Sequence, residues 1–355
     1  MIIYSKSSGY TDAAIGRLET PIKMIIEHES DYCKKKGGVV DSLFNVEKSN
    51  RFGETIVNSS EFNMFSATIE GEAAEQDRTM ETRSKFIEHI QFSKEFMISA
   101  EMMEDANYGI AADAKHRAEN FVRAYYKTMN RICEHALISA TDYSTEIAGA
   151  SIDLCTGDGA PLFSNQHAWG ISDNSGQQSN YFFGNVFSAE DDNGNRIIST
   201  DVFEESLYAL ASKLRNMKDD NGDPMGYTAD TIIITGNNPK VESVVKKVCG
   251  SYGTTNTSYN DINLHYGNWN VVVLPTWQPT DRRIMIMSSE ANKNLAGNMF
   301  FNRVPLTVTN WVDNHTGNYI WNGRCRFGVG FGSYKHIIMA VDTENNVANA
   351  DYFNY

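Results

Sequence analysis

The sequence lacks most of the signals that would give it a chemistry. No run of about 18 apolar residues occurs, so no membrane-spanning helix is predicted. The opening MIIYSKSSGY has no basic stretch followed by an apolar one, so no secretory signal is expected. Cysteine is scarce: Cys33, Cys133, Cys155, Cys249 and Cys325 are scattered, odd in number and never spaced C-x-x-C. Unpaired thiols in a reducing compartment follow, and a cysteine metal site is disfavoured. H-E-x-x-H, the Walker loop and G-x-S-x-G are all missing, so no catalytic, cofactor or metal residue is assigned. Positive charge is short as well: 31 Lys and Arg face 45 Asp and Glu, a net of −14. That argues against a protein whose surface tracks nucleic-acid phosphates.

What is present is organised around a helix. Ala114, Ala118, Phe121, Val122, Tyr125, Met129, Ile132, Cys133, Ala136, Leu137 and Ala140 recur at i, i+3, i+4 spacing. A helix over 110–140 is predicted, about 45 Å long at roughly 1.5 Å per residue. Before it, Phe62–Ile69 and Phe86–Ile98 alternate as strands around a charged stretch, Gly71–Met80. A long β-hairpin is expected there, and such a hairpin needs a surface to lie on. Between Glu61 and Asp105 eleven acids face four bases, so half the excess negative charge sits in this segment.

Residues 1–40 read as an arm with a short helix at Pro21–Glu29, stopped by Lys34-Lys35-Lys36-Gly37-Gly38. Val39–Val57 looks strand-like. Residues 141–199 are rich in Gly, Asn, Asp and Ser and read as loop. A second amphipathic helix spans Asp201–Met217, with Asp201 and Glu204 in capping-box spacing. Ile232–Thr235, a helix at Pro239–Val248, and strands at Trp269–Leu274 and Ile284–Met287 suggest a compact α/β unit. The Asp/Asn/Gly clusters at 191–195 and 219–223 lack EF-hand spacing and read as turns. Gly328-x-Gly330-x-Gly332 lacks dinucleotide spacing. His167, near Asp158 and Ser164, leaves open a hydrolase reading.

The order of these parts resembles the major capsid (head) proteins of tailed bacteriophages, in the Mu-type branch of the Hong Kong 97 capsid fold. Two motifs carry the resemblance. One is D-G-x-x-L-F-S-x-x-H, matched by Asp158, Gly159, Leu162, Phe163, Ser164 and His167. The other is the helix ending K-D-x-x-G-x-P-x-G, matched by Lys218, Asp219, Asp220, Gly222, Pro224 and Gly226. The likeness covers roughly residues 40–345.

The resemblance implies an α+β fold with an N-terminal arm (1–60), an extended β-hairpin loop (61–99), a peripheral domain (100–227 and 300–355) with the long helix as its spine, and an axial domain (228–299). Residues 300–345 are expected to form the long sheet of the peripheral domain. It implies a structural protein, not an enzyme, that self-assembles into hexamers and pentamers of an icosahedral head shell enclosing double-stranded DNA. Its location is the virion, after assembly in the bacterial cytoplasm. The implied partners are further copies of itself, a separate scaffolding protein, a portal and a decoration protein, with no membrane contact. An N-terminal scaffolding extension found in some relatives is not expected. An encapsulin-like cellular compartment shares the fold and is the alternative shell. Candidate inter-subunit residues are Glu72, Glu75, Asp77 and Arg78 at the hairpin tip and Lys246, Lys247, Arg282 and Arg283 as basic positions on a neighbour. Gly71–Met80 holds no lysine, so no Lys–Asn cross-link is expected at the tip.

Overall fold

The computed structural model describes residues 3–6, 13–59, 64–71, 73, 76, 81–99, 110–170, 176–190, 196–236, 238–250, 263, 265–278 and 282–342. Two five-stranded sheets organise the chain. In the first, Tyr319–Phe331 is central. It pairs antiparallel with Asn298–Val312 on one side and with Ile90–Ile98 on the other. The short strands Ile3–Lys6 and Asn45–Lys48 run parallel to Asn298–Val312 along its free edge. The two long strands have 15 and 13 residues, or about 50 and 43 Å at roughly 3.3 Å per residue. Their register shifts between Asn302 and Thr307, around Pro305, which has no N–H to give to a ladder.

The predicted long helix is observed as Ile110–Ile138. Its stripe of Ala114, Ala118, Phe121, Val122, Ile132, Cys133, Ala136 and Leu137 is buried. At one end Phe121, Leu306, Val308 and Trp321 share a cluster. At the other, Ile132 and Leu137 join Phe300, Phe327 and Phe331.

The N-terminal helix is longer than the sequence suggested, running Ala13–Lys36 through Pro21. Proline removes one i→i−4 bond, but Ile22 and Ile26 are buried against Ala114, Ala118, Phe121 and Val122. Tertiary burial outweighs the local break.

The second sheet has the order Tyr181–Gly184, Ile337–Asp342, Arg282–Met287, Thr231–Thr235, Asn270–Leu274. The helices Thr200–Arg215 and Pro239–Gly250 share a core with one of its faces, through Phe203, Leu207, Val241 and Val245 against Ile232, Ile234, Ile284 and Ile338. Ile337–Asp342 therefore belongs here and not to the long sheet, where residues 300–345 were expected. The helix at 200–215 starts after Ser199, so Asp201 lies in its first turn and not at the N-cap position that the capping box requires.

The two sheets meet at a buried polar junction. His336 and Asn298 are fully buried, and His336 Nε2 lies 2.9 Å from Asn298 Oδ1. Asn298 Nδ2 donates to Leu43 O, and its backbone N–H donates to Asn292 Oδ1. Because Asn298 Nδ2 is committed as a donor, its oxygen accepts and His336 carries hydrogen on Nε2. Burial pushes the His336 pKa down to about 3, so the ring is neutral at physiological pH.

Candidate assembly site: the hairpin and its root

The hairpin exists, but its arms differ from the expected ones. Gly53–Ser59 pairs antiparallel with Glu81–Glu88. The alternation at Phe62–Ile69 forms no strand over its described part, Met64–Ile69. The run Phe86–Ile98 divides at His89: Glu81–Glu88 completes the hairpin, and Ile90–Ile98 enters the long sheet. A single alternating pattern thus hid two strands with different partners. His89 is buried, and its Nδ1 is 3.1 Å and 2.9 Å from the carbonyls of Arg51 and Phe52.

The ribbon is two-faced at its root. Thr55, Val57, Ser84, Phe86 and Glu88 are exposed, while Lys85 and Ile87 are buried. The buried face rests on glycines. A Cβ on Gly330 would come within 2.7 Å of Ile87 Cδ1. One on Gly328 would meet Glu88 O at 2.7 Å, and Gly332 lies beneath Ile56. The G-x-G-x-G pattern has a mechanical reason: alternate side chains are missing from the end of the central strand, at Gly328 and Gly330, and just past it at Gly332, so that a ribbon can cross. Ile87, Met299 and Phe301 fill the contact, with Ile56 and Ala296 packed against them.

Two cations on that face clamp the ribbon. Arg83 donates from Nη1 to Ala168 O at 2.9 Å and from Nη2 to Gly170 O at 2.7 Å. Lys85, with 7% of its side chain exposed, pairs with Asp153. Burial acts to raise the Asp153 pKa, but the Lys85 hydrogen bond and the Cys155 N–H more than offset it and leave the carboxyl below its usual range.

The floor beneath the clamp is built from both motifs singled out in the sequence. Asp158 Oδ2 lies 2.7 Å from His167 Nδ1, and His167 Nε2 lies 3.2 Å from Leu162 O. Thr156 Oγ1 and Ala160 N–H also donate to Asp158. Burial works to raise this carboxyl too, and the hydrogen bonds from His167 and Thr156 hold it low. The His167 ring stacks on Tyr334 at 3.7 Å between centroids. The Tyr334 hydroxyl donates to Ala168 O, one of the two carbonyls that hold Arg83. In the second motif Asp219 Oδ1 accepts from the N–H groups of Asn221 and Asp223, a tight turn with Gly222 at φ +95°. Asp220 pairs with Lys335 at 2.9 Å. Lys218 lies over the Trp169 ring, which packs on Gly222, so the second motif touches the chain two residues past the first. Residues 141–199 are in these parts a folded support and not a loose loop.

The hydrolase arrangement is not assembled. Ser164 Oγ accepts from Gln166 N–H, and both His167 nitrogens already face Asp158 and Leu162 O. Nothing is left on the ring to take a proton from a hydroxyl.

Beyond the ribbon the chemistry reverses. Met64 and Ile69 are 85% and 74% exposed, and Phe65 is fully exposed. Glu72, Glu75, Asp77 and Arg78 lie outside the described residues. Lys246 and Lys247 are exposed on Pro239–Gly250, Lys246 paired with Glu242 at 2.5 Å. Arg282 is turned inward, donating to Ser188 Oγ near Asp342, so it is occupied within its own chain. Arg283 is half-buried on the same strand. Sequence reasoning missed Arg83 and Lys85. Their i, i+2 spacing on a strand was the available signal, but nothing in the sequence named the carbonyls they meet.

No protein-family model matches the chain, and no curated protein matches it. Solved structures do. The capsid structure of the cyanophage P-SCSP1u aligns over 85% of this chain and 87% of that one, with 10% identity and a TM-score of 0.50. Mycobacterium phage Patience aligns over 98% and 94%, at 12% identity and a TM-score of 0.49. The capsid of Myoviridae phage XM1 aligns over 86% and 92%, at 10% and 0.48. The chain has the α+β fold of tailed-phage capsid proteins, the Hong Kong 97 type. At these identities the likeness defines the fold and no branch within it.

Proposed function

We propose that this chain is the major capsid protein of a tailed bacteriophage, self-assembling into an icosahedral head shell around double-stranded DNA. The observation that carries this reading is the capsid fold, extended over 85% of the chain. A second feature supports it. A subunit that clamps the root of a ribbon yet leaves Met64, Phe65 and Ile69 in water is incomplete alone. Repeated copies supply the missing cover, symmetry supplies closure, and many modest contacts add up.

On this reading residues 1–60 are the arm, 61–99 the extended loop, 100–227 and 300–355 the peripheral domain and 228–299 the axial domain. The role is structural, without catalysis. Hexamers and pentamers are the working oligomers, with a separate scaffold, a portal and a decoration protein as further partners. Assembly takes place in the host cytoplasm, and Asp158–His167 and Lys218–Gly226 align the chain with the Mu-type branch. The tip acids Glu72, Glu75 and Asp77 seek a basic neighbour surface, for which Lys247 is better placed than the inward-turned Arg282. Negative-stain microscopy of the purified full chain, alone and with neighbouring gene products, tests the reading. Shells, tubes or capsomer rings are expected. A small species that never assembles overturns it.

A further inference from the structure

We propose that the solvent face shared by the N-terminal helix and the long helix is a contact surface for the phosphate backbone of a nucleic-acid duplex. This inference rests on the shell reading, because it names the partner that a DNA container holds.

The lysine triplet at 34–36 is a solvated turn when read as sequence. The structure gives it company. It forms the last turn of Ala13–Lys36, which runs parallel to the long helix. Ile22 and Ile26 pack near Ala114, Ala118 and Val122. Further along, Ser30 Oγ meets the Tyr126 hydroxyl at 2.8 Å, and Val40 N–H donates to Asn130 Oδ1 at 3.3 Å. Residues 31–37 therefore pass alongside 126–131. There Lys34, Lys35, Lys36, Arg123, Lys127 and Arg131 are all exposed.

The acids on this face are Glu27, Glu29, Asp31, Asp41 and Glu119. Glu29 and Glu119 are taken by Arg123, and Asp31 by Lys34. Lys35, Lys36, Lys127 and Arg131 have no ion-pair partner among the described residues, and Glu27 and Asp41 are the two exposed acids left over against these four cations. In a chain of net charge −14, four cations against two acids on two adjacent helices are a local reversal.

Spacing favours a phosphate backbone over an acidic protein segment. Lys127 and Arg131 stand at i and i+4, about 6 Å apart along one face, in line with Arg123, which is held by Glu29 and Glu119. A duplex carries one charge per roughly 3.4 Å of axis on each strand, so cations about 6 Å apart fall within the spacing of its dense phosphate charge. The lysine triplet fans around the last turn of the parallel helix and adds a patch of charge at one end of the row. No base-reading group is needed, and contact is independent of sequence.

The test is fluorescence anisotropy of a labelled 24-base-pair duplex titrated with full-length protein at several salt concentrations. The test variant carries Lys35→Gln, Lys36→Gln, Lys127→Gln and Arg131→Gln. A control carries Lys246→Gln and Lys247→Gln. The wild type is expected to bind with a salt-dependent affinity, and the four-site variant to lose about 3–4 from the slope of log K against log salt, about 0.9 per contact. The control is expected to retain the slope. Equal slopes in variant and control overturn the inference. So does a wild type that ignores the duplex but binds a peptide of residues 61–82 through this face, which would make it a dock for the acidic loop of a second copy. The Lys35→Gln, Lys36→Gln pair alone, about half the effect, guards against misfolding of the larger variant. Particle formation is scored in parallel. If shells form and the duplex result fails, only this inference falls. If the wild type never assembles, the shell reading falls with it.

Discussion

The root of the hairpin and the segment just beyond it are neighbours in sequence and opposites in physics. At the root, Ile87 and Lys85 are 3% and 6% exposed, seated on a central strand thinned to glycine. A few residues past Ser59, Met64, Phe65 and Ile69 stand in water. The first region is completed by its own chain. The second carries apolar surface that none of the described residues covers. Seating the root in this way fixes the direction in which the ribbon leaves the sheet, and on the shell reading that lowers the ordering cost of association.

The sharpest way to break that contrast is to make the exposed segment polar. Met64→Ser, Phe65→Ser and Ile69→Ser together remove almost no intramolecular contact. The thermal midpoint of the subunit is expected to stay within the change typical of surface substitutions, about 0.5 kcal/mol. Particle yield by sedimentation is expected to collapse. Normal shells from this variant would show that the segment has no partner to meet.

Ile87→Ala attacks the other side of the comparison. It deletes buried methyl groups above Gly328 and Gly330 and should cost about 2–5 kcal/mol, measured by denaturant unfolding. The root should also become a protease site, while the long sheet beneath stays protected. A cost below about 0.5 kcal/mol would mean that the ribbon is not seated on the glycines.

Much of the frame was legible in the sequence because periodicity is local. The long helix, the 200–215 helix and the strand–helix–strand run of the second sheet follow from spacing alone. What was not legible depended on partners distant in sequence. Nothing within Phe86–Ile98 says that pairing changes at His89, because both halves alternate and only the partners, 53–59 and 319–327, differ. Pro21 looked like a helix start because the burial that carries a helix through it comes from residues 114–122. The glycine triplet could be excluded as a cofactor loop but not explained, since its reason is a ribbon arriving from 240 residues away. Of the candidate contact residues, Lys246 and Lys247 are exposed and Arg282 is used internally. The clamp of Arg83 and Lys85 left no motif to read.

Acid sharpens the comparison differently, because it acts on the junction that carries both regions. The folded pKa of His336 is about 3, set by burial, against roughly 6.5 in an unfolded chain. Between those values the unfolded state binds one more proton, so stability falls as pH falls, by up to about 1.4 kcal/mol per pH unit. From pH 6.5 to 4.5 the loss should reach about 2–3 kcal/mol. In His336→Gln the unfolding free energy should be flatter across that interval, whatever its absolute value. An unchanged slope would place the acid sensitivity elsewhere.

The smallest effect is the most specific test of how the root is seated. Gly330→Ala places a Cβ about 2.7 Å from the end of the Ile87 side chain. The neighbouring atom is the flexible tip of a side chain, so the clash is partly relieved, and the cost should be about 1–3 kcal/mol. If the glycine is there to admit the ribbon, that cost belongs to the pair and not to the strand. In an Ile87→Ala background the space above Gly330 is vacant, and the added methyl should cost much less or even restore part of the lost packing. The double-mutant cycle should therefore return a coupling of about 1 kcal/mol or more, within the range for residues in direct contact. Additive costs would mean that alanine at 330 harms the strand through its own backbone, and that the path of the ribbon over it is incidental.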